Sequence, residues 1–230
     1  MPRSTMLHET SLLAALLISA LFTPLLAQQA GTHKSAGTTN SDAIWSDLAS
    51  GNQRFASGQS SHQDYTAQRQ KLTKDQHPKA ALLSCSDSRV SPEILFDQGL
   101  GDLFVVRSAG NSADPLGLGS LEYAVEHLGV TEIVILGHES CGAVKAACSG
   151  SKMPTANLEA LVAPVAESCV AAKQMKADDV IDFAVKDHVH RSAAALLARS
   201  EILKHASDEG KLRIVEAVYS LDTGMVTRLR

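Results

Sequence analysis

Two spacings of apolar residues divide the chain. Three short runs are almost wholly apolar: "AALLS" at 80–84, "LFVV" at 103–106 and "EIVILGH" at 132–138. Runs of this kind fit strands buried on both faces. Elsewhere the period is helical. Leu118, Leu121, Val125 and Leu128 recur at helical spacing in "PLGLGSLEYAVEHLG", and Gly129 is placed to end that helix. Upstream, "AIWSDLASGNQRFASGQ" sets Ile44, Leu48 and Phe55 on one helical face, with Ser41 and Asp42 available as caps and Trp45 as a packing anchor. "CGAVKAACSG" turns from the third strand into a short helix, and Pro154 breaks the stretch after it. Two Ala-rich amphipathic helices are expected near 157–175 and 179–204. The terminal "KLRIVEAVYSLDTGMVTRL" reads as a strand, a turn at Asp222-Thr223-Gly224 and a short returning strand. Buried strands alternating with helices predict an α/β fold: a central, mostly parallel β-sheet flanked by α-helices, with an N-terminal helical arm and a C-terminal antiparallel strand.

The start of the chain follows neither spacing. After "MPRSTMLHET", with Arg3, comes the uncharged "SLLAALLISALFTPLLA", shorter than the roughly 20 residues a spanning helix needs. Thr23-Pro24 interrupts it, and Ala27 is a small residue before Gln28. We expect residues 1–27 to be a signal peptide, 28–42 a flexible leader and 43–230 a single folded domain. Export to a periplasmic or extracellular space follows, with no stable membrane anchor once the signal is cleaved. The remaining composition is that of an ordinary globular protein: 230 residues, 44% hydrophobic, 20% charged, net charge −4. No Lys/Arg-rich run offers a nucleic-acid surface.

The chemistry-bearing residues lie just beyond the strands. In a parallel sheet, functional groups gather outside the carboxyl ends of the strands. Cys85 follows the first strand, His138 ends the third, and Cys141 opens the helix behind it. Two thiols and an imidazole suit zinc, and three protein ligands leave the fourth position open, as in a catalytic site. Asp87 stands where a carboxylate can orient a zinc-bound water or bind the metal itself. Arg89 can hold Asp87 in a fork of hydrogen bonds and keep it off the metal.

"CSDSRV" followed by "HESCG" resembles the β-class carbonic anhydrases, of an exported bacterial type. "GNQRF", "FVVRSAGN", "GSLEYAVEHLG" and "YSLDTGMV" extend the likeness over residues 43–230. The resemblance implies a carbonate dehydratase with one Zn2+ per chain, held by Cys85, His138 and Cys141. It implies reversible hydration of carbon dioxide to bicarbonate and a proton, by attack of zinc-bound hydroxide. Asp87 and Arg89 match the dyad that controls the fourth zinc position. Gln76 matches a glutamine whose amide helps hold substrate. Phe104 and Tyr123 match pocket residues, and Ala109 stands where a larger aliphatic residue is common. The amide near Gly142 would steady the developing oxyanion. The resemblance further implies a homodimer or tetramer, with the pocket at a dimer interface. Leu82 replaces the Trp of relatives that bind a regulatory bicarbonate, so that regulation is not expected. The same scaffold also supports hydrolysis of carbon disulfide or carbonyl sulfide, and a non-catalytic zinc-stabilised module is the remaining alternative.

Cys148 and Cys169 lie in helical stretches and are expected to be free small apolar residues rather than a disulfide. His188 and His190 in "KDHVHR" are separated by two positions on a helix, so their side chains diverge and a metal site there is discounted.

Overall fold

The computed structural model describes residues 41–230, so the signal peptide expected at 1–27 and all but the end of the leader expected at 28–42 lie outside the described residues. The order is α1 (Ser41–Ala56), α2 (Tyr65–Lys71), β1 (Ala80–Ser84), α3 (Pro92–Leu95), β2 (Leu103–Arg107), α4 (Pro115–Glu126) and β3 (Glu132–His138), followed by α5 (Gly142–Ser149), α6 (Ala156–Gln174), α7 (Val180–Arg199), α8 (Glu201–Asp208), β4 (Arg213–Tyr219) and β5 (Val226–Arg228). The strands form one sheet in the order β2-β1-β3-β4-β5, parallel except for β5, which pairs antiparallel with β4.

Alternation along the strands divides the core between the two faces of the sheet. Ala81, Leu83, Ile133 and Ile135 face one way and pack with Leu121, Val144, Val165, Val185 and Val189 of α4 to α7. Ala80, Leu82, Val134 and Leu136 face the other way and pack with Leu48, Leu95 and Phe96, from α1 and the end of α3. Both faces being covered explains why β1 and β3 read as unbroken apolar runs.

The strand order fixes where chemistry can sit. The chain leaves β1 toward β2 on one side, then crosses back to β3 on the other. Neighbouring parallel strands whose connections run in opposite directions leave a crevice at their carboxyl ends. Cys85 and His138 stand at that crevice. Gly137 lets α7 approach β3 there: a Cβ at this position would lie 2.6 Å from Val189 Cγ2 and 3.2 Å from Val185 Cγ1.

Several boundaries differ from the sequence reading. The helix expected over 179–204 is two helices, because Ser200 is extended and its hydroxyl accepts from Leu203 N–H to start α8. α2 and α3 are too short to show a period. α1 begins at Ser41, which puts Asp42 in its first turn instead of ahead of it.

The expectation of free thiols at Cys148 and Cys169 is corrected: the two form a disulfide. The helical setting misled because it hides the tertiary contact. α5 and α6 pack side by side and bring the two Cα atoms to 5.1 Å, within bridging range. The link closes a loop of 21 residues in sequence, which corresponds to about 3 kcal/mol of stabilisation in the chain-entropy account. We predict that replacing both cysteines by Ala lowers the unfolding free energy by about 2–4 kcal/mol in denaturant titration without reductant. Thiol titration of the denatured, metal-free wild type should find only Cys85 and Cys141.

Candidate metal centre

Cys85, just after β1, is buried and accepts two backbone N–H groups at its Sγ, from Asp87 at 3.4 Å and Gly110 at 3.3 Å. Its Sγ lies 4.0 Å from that of Cys141, which is also buried and sits at the N-terminal end of α5. The hydrogen bond from Cys141 pushes the Cys85 thiol well down, against the effect of burial, and the same contact pushes Cys141 up. On their own the pair therefore holds one thiolate and one thiol, because two adjacent buried anions are too costly.

His138 completes the set. Its ring is fully buried, and Nδ1 lies 2.9 Å from the carbonyl of Glu139. A carbonyl only accepts, so Nδ1 carries the proton and Nε2 presents a lone pair. Nε2 has no hydrogen-bond partner. An orphaned nitrogen in such a place needs an explanation, and a metal ion supplies it. The ligand atoms of Cys85, His138 and Cys141 all lie within 4.8 Å of one another. The donor set fits a zinc ion, which would neutralise both thiolates and take up the imidazole lone pair. The carbonyl fixing Nδ1–H is the usual way a zinc-binding histidine is oriented.

Asp87 stands beside the set with Oδ2 3.9 Å from His138 Nε2. Arg89 grips it in a fork, Nε to Oδ1 at 2.9 Å and Nη2 to Oδ2 at 2.7 Å, while the Arg89 amide also donates to Oδ1. The side-chain hydrogen bonds from Arg89 hold the Asp87 carboxyl well below the usual carboxylate range. Asp87 is thus ionised at every working pH and can only accept hydrogen bonds. The sign follows from linkage: whatever the pair adds to the fold is present above the ordinary carboxylate pKa and is lost only in strong acid.

Arg107, at the end of β2, escaped the sequence reading. Its Nε donates to the Cys85 carbonyl at 3.0 Å and its Nη2 to the Asp87 carbonyl at 2.8 Å. It clamps the backbone that carries ligand and dyad together. Its place in register opposite Ser84 is visible only once β1 and β2 are paired.

The pocket residues are placed differently. Ala109 precedes the Gly110 amide that bonds Cys85, and the exposed Gly142 opens α5. Gln76 and Tyr123 instead line a separate 550 Å3 cleft with His77 and His127 that includes neither the ligands nor Asp87. Phe104 is beside Tyr123, ring centroids 6.4 Å apart. As expected, His188 and His190 diverge: His188 turns to Gly110, and His190 to Glu216.

A family model described as carbonic anhydrase matches residues 80–226. Carbonic anhydrase 2 of Mycobacterium tuberculosis is 43% identical over 190 residues, covering 81% of this chain and 91% of that protein. The carbonic anhydrase of Mycolicibacterium smegmatis is 42% identical, covering 82% and 93%. Among solved structures, a Coccomyxa β-carbonic anhydrase in complex with acetazolamide superposes with a TM-score of 0.61 at 28% identity, over 82% of this chain and 83% of that one.

We predict that Cys141→Ser removes most of the zinc from protein that otherwise carries one ion per chain, as measured by metal analysis. In the metal-free protein, Arg89→Ala should return the Asp87 carboxyl toward its ordinary pKa of about 3.9, followed by carbon-detected NMR.

Proposed function

The chain belongs to the β-carbonic anhydrase family, and from that membership we propose that it works as an exported, oligomeric enzyme whose pocket is shared between chains. Its reaction is the reversible hydration of carbon dioxide to bicarbonate and a proton, and its cofactor is zinc. The carbonic anhydrase relatives favour carbon dioxide over carbon disulfide, carbonyl sulfide or a non-catalytic role. The observation that carries the reading is the unpartnered Nε2 of His138 facing two thiols, with the Asp87 carboxylate at its side.

Zinc, when bound, acts as a Lewis acid that makes water available as a nucleophile near neutral pH. Cys85, His138 and Cys141 would hold the ion. Asp87, ionised at neutral and alkaline pH, would accept a hydrogen bond from the nucleophile and so turn its lone pair toward carbon dioxide. Arg89 occupies both carboxylate oxygens and keeps Asp87 from becoming a ligand itself. Ala109 would contribute apolar wall, and the Gly142 amide, at a helix N-terminus, would donate to the oxygen on which charge develops.

Oligomerisation accounts for the remaining pocket residues. Gln76, Phe104 and Tyr123 gather away from the metal ligands of their own chain, so a second chain is what would bring them to the site. β2 is an edge strand and only half-buried, while Tyr123 is 48% and Leu116 83% exposed on the neighbouring α4. Unpaired edges and exposed apolar side chains together suit an interface. Export is supported by the uncharged apolar run near the N-terminus and by the Cys148–Cys169 disulfide, a bond that persists in oxidising compartments.

Stopped-flow hydration assays on zinc-loaded protein should show activity that rises into alkaline pH. Two thiolates make the zinc centre less electron-poor than three neutral imidazoles, whose bound water has a pKa of about 7. Arg89→Ala should lower that activity by at least roughly tenfold while zinc is retained. Light scattering at micromolar concentration should find a dimer or larger. A fully active monomer would remove the shared-pocket reading.

A further inference from the structure

His188 is almost completely buried on α7, far from Cys85 in sequence, and the hydration chemistry gives it no task. Its Nε2 lies 2.9 Å from the Gly110 carbonyl, 3.0 Å from Ser112 Oγ and 3.4 Å from Ser192 Oγ. The carbonyl can only accept, so Nε2 bears the proton and donates it to Gly110. Nδ1 is then unprotonated and has no partner, which is the state of a neutral ring. Burial favours the same neutral form.

Gly110 lies against Cys85 and close to the first turn of α5, behind Cys141. Its N–H donates to Cys85 Sγ at 3.3 Å. Its φ of +82° is open to glycine and strained for other residues, and a Cβ there would lie 3.1 Å from the Cβ of Ala143, two residues beyond Cys141. The segment around it is a tight turn: Asn111 has φ +45°, the Asn111 amide donates to the Ser108 carbonyl at 3.0 Å, and Ser108 Oγ donates to the Ser112 carbonyl at 2.7 Å. One end of this turn is tied to β1 through Ser108 and Ser84. Among the described residues, His188 reaches the Gly110 carbonyl from α7 at 2.9 Å, and Ser112 Oγ reaches it from within the turn at 3.5 Å.

We propose that His188 is a positioning residue for the zinc centre: by donating to the Gly110 carbonyl it holds in place the residue whose N–H, in the preceding peptide, bonds the Cys85 sulfur, and so sets how strongly that thiolate binds metal. A hydrogen bond to a thiolate stabilises the anion and orients its lone pairs toward the metal. Residues one step removed from a metal change its affinity by 10- to 100-fold in comparable sites (an order-of-magnitude range). His188 does so through a backbone group, two hydrogen bonds from the sulfur. The inference rests on the zinc reading of Cys85, His138 and Cys141.

The test compares wild type, His188→Leu and His188→Gln. Leu fills similar space without a donor, whereas the Gln side-chain amide places an N–H near the position of Nε2. Zinc affinity is measured by competition with a chromogenic chelator, and the thiolate-to-metal charge-transfer band is recorded after cobalt substitution. His188→Leu should bind zinc about 10- to 100-fold more weakly. Its band should move to lower energy, because a thiolate with a weakened hydrogen bond gives up electrons more readily. His188→Gln should restore both. A purely structural role would lower stability without moving the band. If His188→Leu does not fold, His188→Asn replaces it, since the shorter amide cannot reach Gly110 and should shift the band where Gln does not. Normal metal binding by wild type, with the Leu or Asn variant unchanged in affinity and band, would overturn this inference alone. Failure of wild type to bind either metal would overturn the zinc reading, and the inference with it.

Discussion

Two buried sulfur atoms held 4.0 Å apart, facing an imidazole nitrogen whose lone pair meets no donor, set the terms for everything around them. Both thiolates cannot be ionised together in such surroundings without a cation, and an unpaired buried nitrogen costs about 1–3 kcal/mol in lost solvation. A divalent ion resolves both penalties at once. Much of the neighbouring structure acts to keep this set in place before the metal arrives: the Glu139 carbonyl fixes the histidine tautomer, the Asp87 and Gly110 amides point at Cys85, and Arg107 ties down the Cys85–Asp87 backbone.

The fold supplies the place for that set. Parallel pairing of β1 with β3 brings the residues after one strand beside the end of the other, and the opposite directions of the connections leaving them open the crevice. Gly137 allows α7 to pack closely against the end of β3. The disulfide joins α5, whose first turn follows Cys141, to α6. The active region is thus braced from the sheet below and from three helices on one side.

What could be read from the sequence follows from which interactions are local. Strands β1 and β3 were legible because both sheet faces are covered, which leaves unbroken apolar runs; Cys85, His138 and Cys141 were legible because they lie at or just beyond the ends of such runs. Asp87 and Arg89 are two residues apart, and their fork is a local turn. The residues that escaped act across distance in the chain. Arg107 reaches Cys85 and Asp87 only after β2 pairs with β1. Cys148 meets Cys169 only because two helices pack, and helical periodicity says nothing about which faces meet. His188 diverges from His190 as its helical spacing implies, but its contact with Gly110 spans 78 residues. Ser200 broke one long amphipathic pattern because a capping hydroxyl outweighed a continuing period.

The most direct test of the account is X-ray absorption at the zinc edge of the metal-loaded wild-type protein at alkaline pH. Two sulfurs near about 2.3 Å, one imidazole nitrogen near about 2.0–2.1 Å and one further light atom are the shell that Cys85, Cys141 and His138 with an open fourth position require. A shell with one sulfur or none, or with four protein ligands and no open position, would contradict it.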